Sequence, residues 1–320
     1  MRVTVTGGAG FIGANLCRRL LAIDGIDSVA VLDDLSTGRR SNLDGLDTDR
    51  LTFVEGSILD DDALDQTFGG ADAVVHLAAL GSVPRSIADP MATMATNATG
   101  TVMVLEAARR HGRLHTIVAG SSSVYGANPT LPKHEDLATR PISPYGVSKL
   151  ATETAALAWA PSYDLPTLAF RFFNVFGPLQ PAGHAYAAVI PAFVDAALRG
   201  LPLTVHGDGE QSRDFTFVGT VTATIAEALL RQATASTPIN LAFGSRITLL
   251  DVIDQIEALV GQPIERQHVP ARVGDVRHSQ ADNTRLLELL PGLTPVPFEA
   301  GLRATVEWMR ADLATRPSAP

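Results

Sequence analysis

The apolar positions in the first half of the chain fall into short runs separated by amphipathic stretches of helical period. Arg2–Thr6, Val29–Asp33, Leu51–Glu55, Ala73–Leu77, Thr116–Ser121 and Thr167–Phe173 read as strands, with a further one at Pro238–Phe243. Between them Phe11–Leu21, Asp61–Phe68, Ala98–His111 (stopped by Gly112) and Pro144–Trp159 read as helices. Such alternation predicts a parallel sheet with helices on both faces, because parallel neighbours need crossover connections. After Gly177 the pattern changes. Segment 177–215 is rich in Pro, Gly and His and holds one helical stretch, Pro191–Leu198. A helix follows at Val221–Gln232, and Thr248-Leu249-Leu250-Asp251 has the form of a capping box opening a helix that Gly261 ends. The expected architecture is α/β: a doubly wound parallel sheet from 1–176 plus 213–245, and a smaller, discontinuous α+β lobe from 177–212 plus 246–312. The tail, 313–320, is expected to fray.

Composition narrows the function. A length of 320 residues suits one large domain or two intimately joined ones, and 46% hydrophobic residues exclude a disordered chain. The net charge of -9 argues against nucleic acid as a partner but leaves room for a local basic patch facing a phosphorylated small molecule. Cys17 is the only cysteine, so neither an internal disulfide nor a Cys-rich metal site is available. His111 and His115 are separated by Gly112, and no metal site is expected. No apolar stretch approaches the ~18 residues that span a bilayer. Met1 leads straight into a strand pattern, so no secretory leader is expected. A cytoplasmic protein with no membrane partner is the expectation.

Thr6-Gly7-Gly8-Ala9-Gly10-Phe11-Ile12-Gly13 joins the first strand to the first helix. Gly7, Gly10 and Gly13 leave space for a tight turn, a pyrophosphate and close helix–sheet packing, while unpaired N–H groups at Phe11 and Ile12 face the phosphates. The Gly-x-x-Gly-x-x-Gly spacing is one residue wider than the usual fingerprint. Asp33 ends the second strand twenty positions after Gly13, where a carboxylate would bind the adenosine ribose and repel a 2′-phosphate. Arg39 and Arg40 weaken that preference slightly.

Ser143-Pro144-Tyr145-Gly146-Val147-Ser148-Lys149 supplies an N-cap and a proline at the first helical position. Tyr145 and Lys149, four apart, then share a helix face. An ammonium beside a phenol would lower the phenol's pKa towards that of a general base. Ser121, at the end of its strand, offers a hydroxyl to a reacting sugar oxygen.

The glycine loop, the strand-end serine and Tyr-x-x-x-Lys together resemble the extended short-chain dehydrogenase/reductase superfamily, whose sheet is Rossmann-type. His76-Leu77-Ala78-Ala79, Ser121-Ser122-Ser123-Val124-Tyr125-Gly126, Arg171-Phe172-Phe173-Asn174, Gln211-Ser212-Arg213-Asp214-Phe215 and Arg272-Val273-Gly274-Asp275 are similar to nucleotide-sugar 4-epimerases. Gly81-Ser82-Val83-Pro84-Arg85-Ser86-Ile87, Ala185-Tyr186-Ala187-Ala188-Val189-Ile190-Pro191 and His278-Ser279-Gln280-Ala281-Asp282 look most like those acting on UDP-N-acetylglucosamine. The resemblance implies NAD as cofactor and oxidation of the sugar at C4 to a 4-keto intermediate, reduced again from the opposite face. Tyr145 would be the base, with Lys149 and Ser121 assisting. NAD would lie against Gly7, Gly10, Phe11, Ile12, Asp33, Asp34, Ser36, Thr37, Gly38, Ser57, Ile58, Leu77, Ala78, Ala79, Asn97 and Phe172, besides Tyr145 and Lys149. The UDP-sugar would meet Gly81, Ser82, Ser86, Ser121, Ser123, Asn174, Gln180, Val189, Arg213, Arg272, Asp275 and Ser279. Ser86 reads equally well as a turn hydroxyl. The resemblance further implies a homodimer built on the helices after Ala98 and Pro144. Related 4,6-dehydratases carry an Asp-Glu pair where this chain has Ser122 and Ser123, which disfavours dehydration. UDP-glucose stays open as substrate beside UDP-N-acetylglucosamine. So do two other functions, a nucleotide-sugar ketoreductase or decarboxylase and a non-catalytic NAD-sensing protein.

Overall fold

A computed structural model describes residues 1–182, 187–270 and 276–315. Seven strands form one parallel sheet. In chain order β1 is Arg2–Thr6, β2 Ser28–Asp33, β3 Leu51–Glu55, β4 Ala73–His76, β5 His115–Ser121 and β6 Thr167–Phe172, and Ile239–Leu241 closes the edge. The order across the sheet is β3-β2-β1-β4-β5-β6 and then 239–241, so the direction of winding reverses between β1 and β4. Ligands of open α/β sheets bind at such a reversal, beyond the carboxyl ends of the strands.

Alternation along the strands feeds two apolar layers. Val3, Val5, Val31, Val75, Ile117 and Phe170 point to one face, under helix α1 (Phe11–Leu21) and the helix Val218–Leu230. Leu32, Val74, Val118 and Ala169 point to the other, where they meet α2 (Asp61–Phe68), α5 (Gly100–Arg110) and α6 (Pro144–Tyr163). The helix starts follow local chemistry. The Asp60 carboxylate accepts from the Asp62 N–H at 3.0 Å, and the Ser143 hydroxyl accepts from the Gly146 N–H at 3.1 Å ahead of Pro144. The capping box at Thr248 and Asp251 is present in both directions.

Two of the helices on this second face differ from the sequence reading. The one expected from Ala98 is entered earlier, through α3 (Val83–Ala88), α4 (Pro90–Met94) and a π-helical stretch at Ala95–Thr99. Asp89 caps α4 and Pro90 occupies its first position, a start signal that the apolar period alone does not reveal. The other, α6, continues past Trp159 to Tyr163 with Pro161 inside it.

A separate apolar cluster is gathered by the helices Val189–Leu198, Leu249–Val260 and Phe298–Thr315, with Phe193, Val194, Val252, Ile253, Ile256 and Leu302 at its centre. The short helix Thr284–Leu289 lies between these segments in sequence, yet Leu286 and Leu290 pack into the core under the sheet, beside Leu241.

Candidate active site

A cleft of about 1060 Å³ runs along the carboxyl ends of the strands, from Asp33 to Ser279. Its cofactor end is built on glycine. Gly7 has φ +71°, and a Cβ there would come within 2.6 Å of the Ala78 nitrogen; one on Gly13 would come within 2.1 Å of the Gly7 oxygen. No side chain is tolerated at either place, so the backbone stays bare where a pyrophosphate would approach the start of α1. Gly7, Gly10, Phe11 and Ile12 line this part, with Asp33, Asp34, Ser36 and Thr37 beside them. Asp33 is buried and accepts from the Ala9 N–H and the Leu35 N–H, both at 2.9 Å. Burial raises its pKa, and those N–H groups oppose the rise. A further backbone contact comes from Gly10, and with roughly four acceptor positions on a carboxylate there is still room for a ribose hydroxyl. This shape and donor set fit a dinucleotide.

The opposite wall is Leu77, Ala78 and Ala79, then Gly81 and Ser82. Beneath it, His76 is buried between two threonines. Thr101 donates to the Asn97 carbonyl, so it accepts from the ring Nε2–H at 3.0 Å, and Nδ1 is left to accept from the Thr6 hydroxyl at 2.8 Å. Burial and the charge of Lys149 lower the His76 pKa to about 3. Its folded value lies below the ordinary 6.5, so the unfolded chain takes a proton that the folded chain refuses, and stability falls as pH drops from 6.5 towards 3. We expect about 2–3 kcal/mol to be lost by pH 4.5 from this group. Comparing thermal midpoints of the wild type and His76→Asn from pH 7 to 4.5 checks this, the variant giving the flatter curve.

Midway along the chain's cleft-lining segments stand Ser121, Tyr145 and Lys149. Tyr145 lies in the first turn of α6, Lys149 one turn later, and Ser121 at the end of β5. The Lys149 ammonium donates to the Ala119 carbonyl at 2.8 Å, and burial lowers its pKa to about 8. The Tyr145 phenol is within hydrogen-bonding reach of Ser121. One expectation is corrected here. Burial pushes the Tyr145 pKa up, and the Ser121 hydroxyl only partly opposes that. The lowering expected from Lys149 is not seen: its ammonium is turned to the Ala119 carbonyl, and the cost of removing the phenolate from water dominates.

Ser123, Phe172, Asn174, Gln180, Arg213 and Ser279 also line the cleft. Ser123 Oγ and Gln180 Oε1 are buried without a hydrogen-bond partner, whereas Asn174 Nδ2 donates to the Asp214 carbonyl at 3.3 Å. Arg213 donates to the carbonyls of Ser212 and Arg277.

Other expected positions are placed elsewhere. Ser86 is fully buried and donates to the Val83 carbonyl at 2.7 Å, which makes it the turn hydroxyl rather than a cleft contact. Asn97 is buried behind the wall. Its side chain accepts from the Leu80 N–H and donates to the Leu80 carbonyl and to Ser148 Oγ, so it holds the wall without facing the cleft. The Ser57 hydroxyl accepts from the Leu59 N–H, and its neighbours Gly56 and Ile58 line the cleft instead. Gly38 packs against Asp33 and Ala9, and Val189 opens a helix while Ala188 reaches the cleft. Arg272 and Asp275 lie outside the described residues, as do residues 183–186.

The sequence reading missed Tyr125, Lys133 and His278 as lining residues. A signal for Lys133 was present. The chain has two lysines against twenty-three arginines, and both lysines, Lys133 and Lys149, line this cleft.

A Rossmann-type sheet with a glycine phosphate loop, an acidic residue on β2 and a Ser-Tyr-Lys constellation in the cleft defines a dinucleotide-dependent enzyme of the extended short-chain dehydrogenase/reductase type. The chain belongs to the NAD dependent epimerase/dehydratase family, whose model matches residues 3–242, and NAD is its cofactor. It is 39% identical over 319 residues to the UDP-glucose 4-epimerase of Mycolicibacterium smegmatis, covering 97% of this chain and 99% of that one. The UDP-N-acetylglucosamine 4-epimerase of Methanobrevibacter ruminantium, solved with UDP-N-acetylmuramic acid, superposes with a TM-score of 0.91 at 34% identity, covering 97% and 98% of the two chains. A dTDP-glucose 4,6-dehydratase of Streptomyces venezuelae superposes at 0.90 with 33% identity and 98% coverage of both. The protein is therefore an enzyme of the sugar-nucleotide epimerase/dehydratase superfamily.

Proposed function

We propose that the protein is a UDP-sugar 4-epimerase, acting on UDP-N-acetylglucosamine and UDP-glucose and their C4 epimers. One observation carries the choice over dehydration. Among the described residues that line the cleft, the only carboxylates are Asp33 and Asp34, at the adenosine end. Dehydration must remove a proton from C5 and expel the 6-hydroxyl as water, and serine hydroxyls of ordinary acidity at 122 and 123 do neither. Epimerisation needs a proton moved at one oxygen only.

Bound NAD supplies the hydride acceptor and donor at C4. The protein's own groups do the rest. Tyr145 takes the C4 hydroxyl proton and later returns it, with Ser121 holding the same oxygen. Lys149 fixes the nicotinamide ribose and keeps a positive charge beside the phenol. Ser123 Oγ and Gln180 Oε1, buried and unpartnered, stand ready for sugar hydroxyls. Arg213, with Arg272 and Asp275, would hold the nucleotide diphosphate and ribose. Bidentate guanidinium suits phosphate oxygens. Ser279 leaves room for a C2 substituent, which permits an N-acetyl group without requiring it. A dimer through α5 and α6 belongs to this reading, and Val147 on α6 is 44% exposed. Sedimentation velocity checks it, a dimer being the expected species.

The reaction run in D2O separates the two chemistries. An epimerase returns the same hydrogen to C4 and leaves C5 untouched, so mass spectrometry of both epimers shows no deuterium on carbon. Deuterium at C5, or a 6-deoxy-4-keto product, overturns the reading.

A further inference from the structure

Directly below the reactive groups lies a buried ion pair that the proposed chemistry does not use. Glu153 and Arg171 are 2% and 3% exposed. The Arg171 guanidinium donates from Nε to Glu153 Oε2 at 2.9 Å and from Nη2 to Oε1 at 2.6 Å. Glu153 is four residues past Lys149, itself four past Tyr145, so the three share one face of α6. The carboxylate rests against β5 at Gly120, where a Cβ would come within 3.4 Å of Oε2 and 2.8 Å of the Phe170 carbonyl. On either side of Gly120 stand Ala119, whose carbonyl receives the Lys149 ammonium, and Ser121. A buried pair of this kind contributes little net stability compared with apolar residues of the same volume, so its place at this junction calls for another explanation.

We propose that Glu153 and Arg171 are positioning residues: their ion pair sets the seating of α6 on β5 and occupies a carboxylate that would otherwise turn to Lys149. Lysine and glutamate four apart on a helix are within reach of each other, less favourably in this order than with glutamate first, and a buried setting strengthens their attraction. Arg171 removes that option by offering a two-point partner from β6. Lys149 is thereby left on the Ala119 carbonyl, facing the cleft. The other titratable groups around the junction are His76 on β4, neutral between its threonines, and Tyr145 on α6. Around Arg171 they are Tyr125, with the guanidinium 4.7 Å over its ring, and Glu135, whose carbonyl accepts from Nη1 at 3.3 Å. The inference rests on the proposed roles of Tyr145 and Lys149.

The test uses the two-lysine composition. In NAD-loaded protein labelled at lysine, only Lys133 and Lys149 give side-chain signals, and Lys149→Arg assigns them. In Arg171→Gln the freed Glu153 should raise the Lys149 midpoint by about one pH unit and lower kcat about tenfold, with KM for the sugar nucleotide little changed. Glu153→Gln should move the midpoint the other way, because the guanidinium is then unpaired beside it. The double variant should return the midpoint to near that of the wild type and recover most of the lost kcat. A merely structural pair predicts additive damage to kcat, with no recovery in the double variant. An unmoved Lys149 midpoint in both single variants, or a double variant no better than Arg171→Gln, overturns the proposal. If Arg171→Gln does not fold, Glu153→Gln carries the test alone: its Lys149 midpoint is expected below that of the wild type, and an unmoved midpoint overturns the proposal. The titration is read without turnover. A wild type inactive on these sugars would thus count against the proposed function, leaving this inference to stand or fall on the shifts.

Discussion

Tyr145→Phe is expected to lose at least about 10³-fold in kcat while NAD and UDP binding stay within about threefold of the wild type. The phenol is an acid–base group lining the cleft within hydrogen-bonding reach of Ser121. A phenylalanine keeps the ring in place and removes only the oxygen that exchanges the proton. Steady-state kinetics with calorimetric binding of UDP separate the two quantities. A variant within tenfold of the wild type would remove Tyr145 from the chemistry. A loss of binding equal to the loss of rate would assign it to substrate holding instead.

The second large effect is expected at Lys149. Lys149→Met removes the ammonium that holds the nicotinamide ribose and supplies charge beside the phenol, and kcat should fall about 10²–10³-fold. The pH profile gives a sharper sign. The Lys149 pKa is lowered to about 8, so the charge is present below that value and lost as pH rises through it. The wild type should therefore show a descending alkaline limb near pH 8. Lys149→Arg, slower overall because a guanidinium fits the lysine's place poorly, should keep its charge and lose that limb. Identical alkaline limbs in the two proteins would show that another group sets it.

Which parts of this site were legible depends on how local the signal is. The glycine loop, Asp33 and the Tyr145–Lys149 spacing are readable because turn sterics and helical period act within a few residues, and the structure brings these groups to one cleft. The strands were readable for the same reason, since β1 and β3 are bounded by changes of period that the chain displays directly. What failed was orientation and environment. Asn97 and Ser86 lie on the right segments but turn away from the cleft, because a π-helical turn and the start of α3 rotate them towards backbone partners. The direction of the Tyr145 shift depends on burial by β5 and α6, which no spacing within Ser143–Lys149 encodes. The Glu153–Arg171 pair joins residues eighteen apart, across two elements, and could be seen only once α6 was laid on the sheet.

The central claim is that this chain interconverts C4 epimers using a cofactor it regenerates itself. The most direct measurement is proton NMR of the purified protein, with no NAD added, incubated separately with UDP-N-acetylglucosamine and UDP-glucose. The account predicts that the C4 epimer of each appears and approaches a fixed ratio without net formation of NADH. Both sugars left unchanged by NAD-loaded protein would contradict it.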